Sequence, residues 1–99
     1  MVYNLDTIKR KAVPILREAN ISSAYIFGSH ARGEATDLSD IDLLIDYGAI
    51  TKSSFELLEL KYKLAEALNK SVDLVSINSL QNDYFSKQIN KDKICILGE

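Results

Sequence analysis

Two rhythms of apolar residues run through the chain, one helical and one of short strand-like blocks. Leu5, Ile8, Ala12, Ile15, Leu16 and Ala19 form one stripe at helical spacing, which predicts a helix over 7–19 capped by Asp6. Pro14 falls inside that helix and should kink or divide it, and Asn20 is a natural stop. Residues 22–27 read as a strand ended by Gly28, and 38–45 as a second, largely buried strand. Ser53 and Glu56 have the spacing of a capping box, opening a helix over 54–69. Its apolar face is Leu57, Leu60, Leu64 and Leu68, widened by Leu58, Tyr62 and Ala65. A third strand is expected at 71–75, and a more polar helix over 80–90 whose Tyr84, Phe85 and Ile89 either pack inward or form part of a partner surface. Residues 93–97 supply a short edge strand. The expected fold is α/β (α+β): one domain over 1–99, with a small mixed sheet and helices packed on one face.

Composition narrows the function. The 99 residues are 46% hydrophobic and 26% charged, as in ordinary globular proteins. A net charge of −2 leaves no electrostatic footprint for nucleic acid, which speaks against a free-standing polymerase. Cys95 is the only cysteine, so neither a disulfide framework nor a cysteine zinc site is available. Its apolar neighbours Ile94, Ile96 and Leu97 suggest a small core filler. Without a signal-peptide pattern or an apolar run long enough to span a bilayer, a cytoplasmic protein with no membrane partner is expected.

The chemistry-bearing stretch is 26–46. Asp40 and Asp42 are two apart in the second strand, so both project to one face and Ile41 to the other. Adjacent carboxylates beside an apolar run repel each other, and a divalent cation relieves that repulsion. All-oxygen ligation favours magnesium or manganese over zinc. Taken alone, an Asp-x-Asp pair is more often a solvated strand end. Gly28-Ser29 changes that balance. Glycine lets backbone approach a phosphate, Ser29 can cap a short helix through 30–32, and the first N–H groups of a helix suit an anion. Arg32 can reach a triphosphate or pair with Glu34. Gly28 and Gly33 have P-loop spacing, but Glu34-Ala35 stands where that loop needs Lys-Ser/Thr, so the P-loop is excluded. Asp73 is a further acid in an apolar strand. It is either a strand-end residue or, if its strand lies beside the Asp-x-Asp strand, the third member of a carboxylate cluster.

Gly28-Ser29, ten intervening residues and Asp40-Ile41-Asp42 resemble the signature of the DNA polymerase β-like nucleotidyltransferases. Ala31 to Ala35 and Ser39 to Ile45 further resemble the minimal nucleotidyltransferases (MNT), the antitoxin half of HEPN–MNT pairs. The resemblance covers most of the chain, including Val72-Asp73-Leu74-Val75; His30 stands where relatives often carry another polar or basic residue. It implies a polymerase β palm-like fold with Asp40, Asp42 and Asp73 catalytic and metal-binding. It also implies Gly28, Ser29, Arg32 and Ser39 around the nucleotide, two Mg2+ ions (or Mn2+), and ATP as donor. The implied activity is transfer of AMP to a tyrosine of a HEPN-family ribonuclease toxin. With every expected element used in the catalytic sheet, the acceptor is expected to be held by another molecule, most simply a protein partner. Two alternatives stand beside it: an antitoxin that only masks its partner, and the catalytic half of a split aminoglycoside-type nucleotidyltransferase.

Overall fold

The computed structural model describes residues 3–48, 52–77 and 84–98. Its elements are α1 (Leu5–Glu18), β1 (Ser23–Phe27), α2 (Ser29–Arg32), β2 (Ile41–Asp46), α3 (Ser54–Leu68), β3 (Val72–Ser76), α4 (Tyr84–Asp92) and β4 (Ile94–Leu97). The strands form one mixed sheet in the order β3-β2-β1-β4. β1 runs antiparallel to both β2 and β4, while β2 and β3 are parallel. A parallel pair needs a long connection, and α3 is the crossover between β2 and β3.

One face of the sheet carries Ala24, Ile26, Ile41, Leu43, Ile45 and Val72, all buried against Ile8, Ala12 and Leu16 of α1 and Leu60, Leu64 and Leu68 of α3. Each helix therefore contributes its 3.6-period stripe, and each strand its alternate residues. The opposite face holds a smaller cluster of Phe27 and Leu44 with Ile89 of α4. Thus α1 and α3 cover one face as expected, while α4 lies across the other, the face that Asp42 and Asp73 share.

Several boundaries differ from expectation. Asn4, not Asp6, caps α1, accepting from the Thr7 N–H at 2.8 Å, and Asp6 sits in the first turn, where a negative charge suits the helix dipole. Pro14 does not divide α1; it lies on the exposed side, where water can meet the carbonyl that loses its donor. Leu38 is 93% exposed in a turn, and β2 begins only at Ile41. The capping box of α3 is complete, with Ser53 Oγ accepting from the Glu56 N–H at 3.1 Å and Glu56 Oε1 from the Ser53 N–H at 3.2 Å. Leu58 and Tyr62 do not widen its buried face; with Phe55 they form an exposed stripe. Cys95 is exposed, its Sγ facing the Leu97 carbonyl at 3.4 Å, so it is no core filler. Ile89 packs inward as expected, whereas the side chains of Tyr84 and Phe85 and the first residues of that expected helix lie outside the described residues.

Candidate active site

Register builds the site. Phe27, the last residue of β1, stands opposite Asp42, so the chain turns at Gly28 directly beside that carboxylate. In the parallel pair Asp42 stands opposite Asp73, which sets two acids side by side on one sheet face. Asp40 lies one residue before β2 and is exposed, with its charge still felt at Asp42.

Gly28 is required at this turn. Its φ of 76° and ψ of −152° belong to a region that side chains avoid, and a Cβ there would overlap the Asp42 carboxylate. The single turn of α2 follows, and Gly33 closes it in the left-handed conformation with its N–H on the Ser29 carbonyl. The first-turn N–H groups of such a turn have no intrahelical acceptor.

A cavity of about 190 Å3 opens over these residues, lined by Phe27, Gly28, Arg32, Asp42, Asp73, Gln88, Ile89 and Asp92. It is too small for a whole nucleotide. A larger cavity of about 620 Å3 lies between α1 and α3 and touches none of Asp40, Asp42 and Asp73. Burial first, then the charges of Asp73 and Asp40, push the Asp42 carboxyl up to about 6, against the opposing pull of Arg32. The site therefore holds more negative charge than it can comfortably keep. Among the described residues, however, no three His, Cys, Asp or Glu side chains already stand close enough to enclose an ion.

The remaining expected residues fall in different places. Arg32 lines the cavity with its guanidinium engaged, Nε to Glu34 at 2.9 Å and Nη1 to Asp92 at 3.1 Å. Ser29 opens α2. Ser39 does not line the cavity, and its Oγ accepts from the Thr36 N–H at 2.8 Å within the loop. Sequence reasoning missed Gln88 and Asp92, which α4 brings in from the far end of the chain; the Gln88 amide donates to Asp92 at 3.2 Å. His30 was also missed as a buried group. It is 6% exposed, and both ring nitrogens lack a partner among the described residues. Burial and then the Lys70 charge hold its pKa low; the Asp40 backbone opposes this weakly, its approach falling short of hydrogen-bond geometry.

Acids on neighbouring strands thus face a glycine turn with open backbone on one side of an α+β sheet. The chain belongs to the polymerase β nucleotidyltransferase family, whose model matches residues 10–99. A Methanocaldococcus jannaschii protein that carries the provisional name protein adenylyltransferase is 47% identical over 77 residues, spanning 78% of this chain and 82% of that protein. A solved toxin–antitoxin complex with AMP-PNP contains a chain superposing with a TM-score of 0.81 at 30% identity, over 92% of this chain and 73% of that one. The tri-AMPylated Shewanella oneidensis HEPN toxin in complex with MNT antitoxin gives a TM-score of 0.75 at 27% identity, over 95% and 72% of the two chains.

Proposed function

We propose that residues 1–99 act as one minimal domain that transfers AMP from ATP to a tyrosine hydroxyl of a HEPN-family toxin, as its antitoxin in the cytoplasm. The observation that carries this reading is the register of Asp42 against Asp73 beside the open Gly28 turn. The relatives named as adenylyltransferases and the structural likeness to chains in toxin–antitoxin complexes support the choice of a protein acceptor.

The donor set suits a hard divalent cation. Asp42, with its carboxyl pushed up to about 6, sits where negative charge is in excess, and a cation removes that excess. Magnesium needs only one or two carboxylates when water and substrate phosphate complete its shell, so Asp42 and Asp73 suffice to begin a site and Asp40 adds a third oxygen donor. Two Mg2+ ions, or Mn2+ in their place, neutralise charge on phosphoryl oxygens and make an acceptor hydroxyl more acidic when bound.

The chain's own groups account for the rest. Gly28 lets a phosphate tail lie against the backbone, and the N–H groups at Ser29 and His30 face it. Arg32 exchanges Asp92 or Glu34 for a phosphate oxygen. The tyrosine oxygen forms a bond to the α-phosphorus as the bond to pyrophosphate breaks, and its proton passes to a carboxylate oxygen of Asp73. Ser39 shapes the loop that carries Asp40.

The test is to incubate the chain with labelled ATP, magnesium and the protein encoded beside it. Label on a partner tyrosine is expected, and its loss in Asp40→Asn with Asp42→Asn. If that double variant still neutralises its partner, the masking mechanism replaces this one. Label on an aminoglycoside and none on protein points to the small-molecule enzyme.

A further inference from the structure

The loop over 34–40 carries Asp40 and has no regular structure of its own. Inside it, Thr36 and Ser39 close a small box: the Thr36 N–H donates to Ser39 Oγ at 2.8 Å and the Ser39 N–H to the Thr36 carbonyl at 3.0 Å. Those bonds shape the loop but do not attach it to the sheet. Lys70 does. Its Nζ donates to the carbonyls of Asp37 and of Ser39, each at 2.9 Å.

The reach of Lys70 follows from register. Ile41 pairs with Val72 in the parallel β2–β3 ladder, and the Ile41 N–H donates to the Ser71 carbonyl at 3.0 Å. Lys70 and Ser39 each lie two residues before that pair, so they are neighbours across it. Asn69, in the left-handed conformation at φ 52°, ends α3 and delivers Lys70 to this point. Buried His30 lies near the Asp40 backbone but outside hydrogen-bond geometry, whereas the ammonium makes two bonds to the loop. Bonds from a charged donor are about twice as strong as neutral ones.

We infer that Lys70 is a positioning residue for Asp40: by chelating the two carbonyls before it, the ammonium holds the loop where Asp40 can join Asp42. Only the metal-binding role of Asp40 rests on the transferase reading above; the fastening of the loop does not. Lys70→Met keeps the stem and removes the donors. Lys70→Arg restores two donors in a fork.

The test measures amide hydrogen exchange over 36–40, Mn2+ affinity by EPR titration, and the split between kcat and the KM for ATP. For Lys70→Met the expected result is exchange at Leu38 to Asp40 at least about tenfold faster, with the sheet amides unchanged. Mn2+ affinity should fall about tenfold, as when other groups that orient metal ligands are removed. kcat should drop while the KM for ATP holds, and Lys70→Arg should recover most of each. Unchanged loop exchange in Lys70→Met overturns the inference, as does acceleration spread evenly over the whole chain. Failure of the wild-type protein to bind Mn2+ overturns the transferase reading instead, and the exchange measurement still decides the role of Lys70.

Discussion

Asp42→Asn should make the metal-free protein more stable while abolishing its activity. The Asp42 carboxyl titrates at about 6 in the fold, against an ordinary value of 3.8. A raised acid favours the folded state when protonated. Its contribution is therefore fully present below about 3.8 and is lost as the pH climbs through about 6. At ~1.36 kcal/mol per pH unit this gap amounts to about 3 kcal/mol without screening. Asp42 is only half-buried, so solvent reduces that to on the order of 1 kcal/mol. Asparagine keeps the shape and removes the charge. Its amide also faces Asp73 as a donor.

Thermal melts of both proteins in EDTA, from pH 4.5 to pH 8, measure the effect. Near pH 8 the variant should melt about 4–8 °C higher, the shift expected for ~1 kcal/mol in a domain this small. The gap should close toward pH 4.5, where the wild-type carboxyl is protonated. Taking the difference between the two proteins cancels the contribution of carboxylates remote from Asp42. Magnesium should reverse the order, because it stabilises only the protein that binds it. An Asp42→Asn protein no more stable than wild type at pH 8, or a gap independent of pH, refutes the idea of crowded charge at this site.

Gly28→Ala combines a forbidden backbone conformation with a clash at Asp42, and should cost about 2–4 kcal/mol in a denaturant melt besides removing activity. Asp92→Asn weakens the hold on Arg32 and should lower the KM for ATP several-fold in steady-state kinetics, with little change in kcat. Leu64→Ala opens a hole in the main core and should cost about 2–5 kcal/mol, whereas Phe55→Ala, on a 73% exposed side chain, should stay within about 0.5 kcal/mol.

What was legible in the chain separates by the range of the physics involved. The face that Asp42 takes follows from the two-residue period of a strand and needs no knowledge of neighbours, whereas Asp40 lies one residue before β2, where that period no longer places it. The capping box at Ser53 is equally local, since its partners are three residues apart. The position of Asp73 required one tertiary fact, the pairing of β2 with β3, and the helix between them made a parallel pair the natural outcome. Exposure along α3 was less legible: Phe55, Leu58 and Tyr62 continue an apolar pattern, yet the sheet is narrow enough that Leu60, Leu64 and Leu68 already cover it. Leu38 was misplaced because an apolar run beside a strand does not mark where pairing begins; pairing starts at Ile41, opposite Val72.

Arg32 was a candidate beforehand, but its partner Asp92 was not. Arg32 and Asp92 are 60 residues apart, and no periodicity links them. They meet because β4 pairs with β1 at the sheet edge and carries α4 back over the acid-bearing face. Lys70 is likewise an ordinary surface lysine in any local window, and only the Ile41–Val72 register makes it a neighbour of the Asp40 loop. Local chemistry thus proposes the acids, the glycine turn and Arg32, while Asp92 and Lys70, which restrain and position them, are chosen by topology. A variant of Lys70 or Asp92 therefore tests the assembled sheet, whereas a variant of Asp42 tests the motif.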